Sequence, residues 1–431
     1  MLSKRFNLRS ITFFVQVFKN RNFNFFFIGG SLTQIAGQFY GIALPWLVLQ
    51  TTNSSTALGF VMALAGLTRA AFMLFGGVVS DRISSKMVMV WTGLFRFFII
   101  ITPAFLLFTN RTELWIIYII ALFLGFMDAF AYPAETAIIP DLVEKKDLGP
   151  ANALAQIIVY VCQIIGPMAA GWIIAFFNKI MPETRSIGWI FVMGAIGFII
   201  SSLFFYLIKP KVVPAVEATR KKPVMALIKE MFVYMWRDPI LRLVFLLALG
   251  INFFMLGPMT IGIPVLAKWS LANNVNAYGI IMAIWGIGSL LGAILGGSLP
   301  KPQAKKFGTT LLAVVALAGA SVAVLGFCHS VWTISLAAGL VGLTNGYILV
   351  LFLVWLQIRT PENMMGRVIS LMSFAWIGLY PVSSALCGYL LKLSPSLTLL
   401  GSGVLLMIIT GAVALMPSFR KIGFVLEKES K

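Results

Sequence analysis

Runs of roughly 20 apolar residues recur along the whole chain. Each run is long enough to cross the ~30 Å hydrocarbon core of a bilayer as a helix, where every backbone polar group must be bonded internally. Hydrophobic residues make up 60% of the 431 positions and charged residues only 11%, whereas soluble proteins are about one quarter charged. The pattern predicts an all-α integral membrane protein with twelve transmembrane helices, near residues 24–50, 57–80, 87–108, 114–138, 151–177, 187–208, 241–266, 277–299, 307–327, 331–356, 367–391 and 395–416.

The positions of the basic residues predict the orientation of these spans, because cytoplasmic loops carry an excess of Lys and Arg. With both termini inside, the cytoplasmic segments hold 26 of the 33 basic residues. The outer loops then hold five: Arg111, Lys179, Arg185, Lys268 and Lys392. We expect a multi-pass protein of the bacterial inner membrane with both termini in the cytoplasm. The net charge of +19 then follows from topology, and no nucleic-acid partner is needed.

The longest polar interruption, Lys209 to Asp238, divides the spans six and six. It contains the Pro- and Lys-rich segment "KPKVVPAVEATRKKP", followed by a stretch with apolar residues at near-helical spacing, which suits the membrane surface. The sequence therefore predicts five segments: a cytoplasmic amino-terminal segment 1–23, a six-helix bundle 24–208, a linker with an interfacial helix 209–240, a second bundle 241–416 and a cytoplasmic tail 417–431.

Small residues and prolines repeat between the two halves at an offset of about 220 residues. Ala57 and Gly59 correspond to Ala277 and Gly279, and the pair Gly76-Gly77 corresponds to Gly296-Gly297. Pro45 corresponds to Pro264 at an offset of 219, and Pro140 to Pro361 at 221. Each match is weak alone, but together they predict two pseudo-symmetric bundles. Duplicated bundles of six spans are typical of secondary transporters, with the substrate path between the halves.

The chain lacks the residue sets that enzymes and pumps require. It has no HExxH, no GxxxxGK[ST] loop and no Ser/His/Asp set, and its three cysteines have unrelated spacings. We therefore expect no enzymatic activity, no metal site and no bound cofactor. Energy for transport would come from an ion gradient, and we expect the protein to act as a monomer with a small-molecule substrate in a lipid bilayer.

Four ionisable residues fall inside predicted spans, where such groups are functional candidates by default. Arg69, Arg96 and Asp128 lie about 15–17 Å from the cytoplasmic ends of their spans at 1.5 Å per residue. Glu135 follows Asp128 by seven residues, on nearly the same helical face. In one interpretation Asp128 is the structural counter-ion of Arg96 or Arg69. In the other, Asp128 or Glu135 loads and releases a proton during transport.

The segment "GVVSDRISSK" between the second and third spans resembles the signature loop of the major facilitator superfamily, with serines at positions 84 and 85 in place of a glycine and a basic residue. The resemblance implies that Gly77 packs the second span against the eleventh. It also implies that Asp81, Arg82 and Lys86 belong to a charge network closing the cytoplasmic side.

The segment "CQIIGPMAAG" in the fifth span resembles the antiporter motif of the same superfamily through Gly166, Pro167, Ala170 and Gly171, with Cys162 in place of the first glycine. Within the family this motif is associated with export. Small residues let helices approach closely and proline bends a span, so the same residues also suit plain helix packing. The segments "FAYPAETAIIPDLVEKKDLGPANALAQ" and "TPENMMGRVISL" resemble the macrolide-efflux and enterobactin-exporter branch, of the drug:proton antiporter type.

The rest of the predicted cavity is apolar and aromatic with a few polar side chains. These candidates are Gln34, Gln38 and Tyr40 in the first span, Asn252 in the seventh, and Asn345 and Tyr347 in the tenth. Such a lining suits a bulky amphipathic solute better than a sugar, which needs denser polar partners, although each amide could instead bond neighbouring helices. The sequence thus predicts a proton-coupled exporter of a drug-like compound or siderophore. The alternatives are a siderophore or lysophospholipid carrier, an importer, or a membrane receptor that transports nothing.

Overall fold

The computed structural model describes residues 17–82, 84–111, 113–209, 233, 236–299, 304–359 and 378–416. Within these ranges the chain is helical and contains no strand. Its long helices are α1 Arg21–Thr52, α2 Ser55–Arg82, α3 Ser85–Phe108, α4 Leu114–Ala137, α5 Leu148–Phe177, α6 Glu183–Leu207, α7 Pro239–Trp269, α8 Val275–Ser298, α9 Ala304–Leu325, α10 Val331–Arg359, α11 Tyr380–Leu393 and α12 Pro395–Leu415.

Eleven helices of the described residues are long and apolar enough to cross a membrane, and the all-α membrane fold is confirmed. The described part of the predicted eleventh span is α11, and the residues before 378 lie outside the described ranges. One boundary differs from the prediction. The backbone of α2 stays helical to Arg82, so Asp81 and Arg82 belong to its last turn and not to a loop. A drop in hydropathy marks the end of the apolar run, but the backbone can continue in helical form past it.

Short polar sequences set where several of these helices begin. Asp238 accepts hydrogen bonds from the backbone amides of Ile240 and Leu241, with Pro239 in the first helical position of α7. Ser394 likewise accepts from the amide of Leu397 at the start of α12. Both arrangements satisfy amides that have no partner within the helix.

Contacts divide the chain into two compact units. The first comprises Met1–Leu47 and Thr68–Ala215, and the second comprises Val48–Leu67 and Val216–Lys431. The boundary between the two units after position 215 falls in the predicted linker 209–240. However, the end of α1 and the start of α2 group with the second unit, a division that hydropathy does not reveal.

In the first unit, helices approach each other at small residues. A Cβ added to Gly93 of α3 would lie 2.1 Å from Ser202 Oγ of α6. Thr33 and Ser201 share a buried hydrogen bond of 2.5 Å. At one end of the unit a core of buried side chains joins α1, α3 and the turns before α5: Val17, Phe23, Phe26, Val88, Met89, Val90, Ala134, Ile138, Ile139, Leu142, Val143, Ala151, Leu154, Phe205 and Ile208.

In the second unit, α8 and α10 pack backbone against backbone. A Cβ on Gly288 would lie 2.0 Å from the carbonyl oxygen of Gly339, and one on Gly292 would lie 2.0 Å from that of Leu343. Gly346 of α10 approaches the carbonyl oxygen of Ser289 equally closely. Small residues allow this close approach in membrane helices, where packing drives association.

Helix α7 contains a wide turn at its centre. Residues Asn252–Leu256 form a π-helical segment between two α-helical parts. Ser383 of α11 donates its hydroxyl to the carbonyl oxygen of Phe253 at 2.5 Å, which partners an acceptor within the widened turn. Such bulges are frequent at functional sites.

The segment Val48–Leu67 meets α11 at a pair of glycines. A Cβ on Gly59 would lie 2.6 Å from the carbonyl oxygen of Ser384, and one on Gly388 would lie 2.7 Å from Gly59 Cα. Ser55 donates its hydroxyl to the carbonyl oxygen of Gly388 at 2.8 Å. Gly59 is the fifth residue of α2, as its repeat partner Gly279 is of α8.

Candidate functional site

The first unit holds an ion pair between α3 and α4. Arg96 Nη2 lies 2.5 Å from Asp128 Oδ1, and Arg96 is only 7% exposed. Tyr40 of α1 donates its hydroxyl to Asp128 Oδ2 at 3.3 Å. The Arg96 guanidinium also lies over the ring of Phe198 in α6, 5.4 Å from its centre. Four helices therefore meet around one arginine–aspartate pair.

The two arginines that the sequence predicts as possible partners of Asp128 have different contacts in the structure. Arg96 forms the ion pair, whereas Arg69 of α2 lies over the ring of Tyr132, 5.8 Å from its centre. Within the described chain, Nε of Arg69 has no hydrogen-bond partner. A charge removed from water is stabilised only when it is well paired. Asp128 therefore neutralises Arg96, and Arg69 is held by an aromatic ring.

Glu135 lies on α4 two turns beyond Asp128 and is half-buried. It makes no hydrogen bond or ion pair with any other described residue. Burial is the largest influence on its carboxyl group, and the charges of Arg96, Asp128 and Arg69 act on it as well. Asp128 is thus tied to Arg96 by an ion pair, whereas Glu135 has no such pair among the described residues.

The antiporter motif packs α5 against α1. A Cβ on Gly166 would lie 2.4 Å from the Cβ of Gln38, so any larger residue would displace α1. Cys162, which replaces the first glycine of the motif, donates its thiol to the carbonyl oxygen of Ser31 at 3.7 Å. The four matching residues are all buried: Gly166, Pro167, Ala170 and Gly171. The motif thus positions the helix that carries Tyr40.

The predicted cytoplasmic gate is described only in part. The side chains of Gly77, Asp81 and Arg82 lie outside the described residues, although their backbone is helical. Lys86 of α3 is described, and its ammonium group lies 5.1 Å from the centre of the Tyr206 ring. The role of this stretch as a gate therefore stays a prediction.

The polar cavity candidates fall into two sets. Gln34, Gln38 and Tyr40 belong to the first unit and are half-buried. Tyr40 does not share a face with Gln38, because two residues correspond to about 200° around a helix. Its hydroxyl is bonded to Asp128, a contact between two helices that no spacing in the sequence indicates.

The other three candidates, Asn252, Asn345 and Tyr347, belong to the second unit. Asn252 is 2% exposed and donates its side-chain amide to the carbonyl oxygen of Ala248, one turn earlier in α7. Asn345 and Tyr347 are half-buried in α10. Asn252 thus serves its own helix at the π-helical segment, and the cavity role of Asn345 and Tyr347 stays a prediction.

The similarity of this chain to known proteins agrees with the fold described above. The sequence profile described as Major Facilitator Superfamily matches residues 26–384. The chain belongs to the major facilitator superfamily. Members with this architecture move solutes by alternating access between two bundles, so the protein is a membrane transporter and not an enzyme.

Curated relatives of this superfamily member are named as exporters. The chain is 27% identical over 333 residues to the enterobactin exporter EntS of Salmonella choleraesuis, covering 76% of this chain and 75% of the relative. It is 26% identical over 334 residues to the same exporter of Escherichia coli O1:K1, with equal coverage.

Solved structures of transporters share the fold at low sequence identity. A mutant of the nucleoside transporter NupG gives a TM-score of 0.71 at 13% identity, covering 95% of this chain and all of that one. A bacterial homologue of the iron transporter ferroportin in an inward-facing state gives 0.69 at 15% identity, covering 92% and 99%. These similarities show the fold of this superfamily member.

Proposed function

We propose that this transporter exports a bulky, amphipathic small molecule, siderophore-like or drug-like, in exchange for protons. The observation that carries the proposal is the charge cluster of the first unit, where Arg96, Asp128, Arg69 and Glu135 lie inside predicted spans. Ionisable groups at that depth are costly and mark ion or substrate pathways. Export is supported by the antiporter motif around Gly166 and by relatives that are named as exporters.

The substrate class rests on the chemistry of the polar candidates. Few polar side chains serve the predicted cavity, and two of the six, Tyr40 and Asn252, are already bonded within the protein. The rest of the predicted lining is apolar and aromatic, which suits a solute with a large apolar surface and a few polar groups. A drug-like compound meets this description, and a siderophore is the second candidate because the relatives are named enterobactin exporters.

We assign proton exchange to Glu135. Asp128 is committed to Arg96, and protonating it would leave that guanidinium without its counter-charge. Glu135 has no such partner among the described residues, and it lies within the field of both arginines. Protonation of Glu135 would therefore change the net charge of the cluster without dismantling the ion pair. In this mechanism Asp128 and Arg96 position α3 and α4, and Glu135 carries the proton.

Transport in proteoliposomes with an imposed pH gradient tests the assignment. The variant Glu135→Gln should lose gradient-driven transport while it still exchanges substrate across the membrane without a gradient. The matched control is Glu144→Gln, which changes an exposed acid that pairs with Lys146 on the surface. If Glu135→Gln transports as well as the wild type under a pH gradient, the assignment is wrong.

Accumulation in cells tests direction and substrate class. Cells that carry the gene should retain less enterobactin or less of a macrolide than cells without it, and an uncoupler should abolish the difference. Greater accumulation in the presence of the gene would indicate import. The absence of any effect with either compound would contradict the proposed substrate class.

A further inference from the structure

The second unit contains an apolar groove between α7, α11 and α12, with a volume of about 300 Å³. Its lining includes Phe253 and Phe254 of the π-helical segment and Cys387 of α11. Several leucines along its edges are exposed, among them Leu386, Leu393 and Leu397. In a membrane-spanning chain, exposed leucines on the outer helix surface face lipid. The lining of the groove is therefore suited to contact with hydrocarbon.

Three of the four hydroxyl side chains that line the groove already have partners. Ser383 donates to the carbonyl oxygen of Phe253 at 2.5 Å, and Thr398 donates to that of Ser394 at 2.7 Å. Ser394 accepts from the amide of Leu397. The groove therefore offers an occupant almost nothing except apolar surface, which matches a hydrocarbon chain better than a solute with several polar groups.

The length of the groove corresponds to one leaflet of a bilayer. Along α12 its lining extends from Ser394 to Leu405, and eleven residues at 1.5 Å each span about 16 Å. This is about half of the ~30 Å hydrocarbon core. An acyl chain lying along α12 would therefore reach from the membrane surface to the midplane.

A basic residue lies at the surface end of the groove. Lys392 is in the last turn of α11, two residues before Ser394, and its side chain is exposed. It forms no ion pair with a described acid. A lysine beside the mouth of an apolar groove is complementary to the phosphate of an anionic lipid whose tail occupies the groove.

We propose that this groove binds one acyl chain of an anionic phospholipid, with Lys392 at the headgroup phosphate. The bound tail contacts α11 on the side where Cys387 and Leu390 line the groove. The neighbouring residue Gly388 contacts Gly59. The lining of the lipid site shares no residue with the charge cluster of the first unit, and the site does not depend on the identity of the transported solute.

Photolabelling of the full chain in nanodiscs tests the lipid site. The probe is phosphatidylglycerol with a diazirine at the end of one acyl chain, and labelled positions are read by mass spectrometry of peptides. The wild type should be labelled on α11 and α12 at groove residues. Gly401→Trp should lose this labelling, because Gly401 lines the groove and a Cβ there meets no atom within 4 Å. The large side chain then fills the groove without displacing α12.

Gly411→Trp is the matched control. It lies on the same helix, also has open space around its Cβ, and is absent from the lining of the groove. It should be labelled like the wild type. Lys392→Gln should lower labelling by phosphatidylglycerol about fivefold, the effect of one basic residue near an anionic lipid. It should leave labelling by the same probe with a phosphatidylcholine headgroup unchanged.

Equal labelling of the wild type and Gly401→Trp would overturn the proposal. Displacement of the probe by enterobactin or a macrolide would also overturn it, because the groove would then belong to the transport path. Labelling is read without transport, so failure of the lipid site and failure of proton-coupled export are separate outcomes.

Discussion

At the scale of single residues, the ion pair between Arg96 and Asp128 determines what the neighbouring groups can do. The pair lies 2.5 Å apart, and the hydroxyl of Tyr40 donates to the same carboxylate. A buried ion pair adds little net stability compared with apolar residues, but removing one partner leaves the other charge without compensation. Because the pair occupies Asp128, the proposed proton carrier is Glu135.

A double-mutant cycle checks the structural role of the pair. Asp128→Asn and Arg96→Gln should each lower the free energy of unfolding by roughly 3 kcal/mol, the lower end for a broken buried pair, because Asp128 keeps some exposure. The double variant should regain much of that loss. Thermal unfolding in detergent measures the three variants against the wild type. Additive losses in the double variant would show that the two side chains do not depend on each other.

At the scale of helices, close approach is decided by single glycines. In α8, Gly292 lies against the backbone of Leu343, whereas Gly297 near the end of the same helix has open space around it. The first contact is between main chains, so the helices cannot relax by changing a side-chain rotamer. Membrane helices depend on packing of this kind, since lipid provides no hydrophobic drive between them.

The two glycines of α8 provide a matched comparison. Gly292→Ala should lower both the yield of folded protein and its melting temperature, because the methyl group would lie 2.0 Å from a carbonyl oxygen. Gly297→Ala should be neutral or slightly stabilising, by up to about 1 kcal/mol, since alanine favours helices. Size-exclusion profiles and melting curves in detergent measure both effects. Equal stability of the two variants would contradict the backbone contact.

The helices themselves could be predicted because an apolar run of 20 residues reports burial in lipid, whatever its neighbours are. The contacts between helices could not, because they depend on which faces meet. The antiporter motif marks Gly166, but it does not indicate that this residue packs against Gln38. The depth of Arg96 and Asp128 indicated a pair and left the choice of arginine open. The π-helical segment at Asn252 carries no signal in the sequence that hydropathy or periodicity detects.

At the scale of the whole molecule, the orientation in the membrane stays a prediction from the basic residues. The buried state of the native thiols makes it testable, because Cys162, Cys328 and Cys387 are all free and buried. An introduced surface cysteine can then be labelled above a low background. Lys179 follows α5 in a predicted outer loop, and Lys209 follows α6 at the predicted cytoplasmic end; both are exposed.

A membrane-impermeant maleimide on intact cells measures the topology. Lys179→Cys should react from outside, and Lys209→Cys should react only after the cells are permeabilised. The wild type, with its three buried thiols, is the control for background. Labelling of Lys209→Cys in intact cells would reverse the predicted orientation, and with it the direction that is inferred for transport.

The glycine contact between Gly59 and Gly388 has a consequence for how this chain can change over evolutionary time. Gly29 lies against the side chain of Phe205. A larger residue at position 29 could therefore be accommodated if a smaller side chain replaced Phe205. At Gly59 and Gly388, the nearest atoms to an added Cβ all belong to the backbone. A second substitution changes a side chain and cannot remove these backbone atoms. We therefore expect the residue at position 29 to vary among descendants of this protein. Positions 59 and 388 should remain glycine for as long as α2 and α11 cross there.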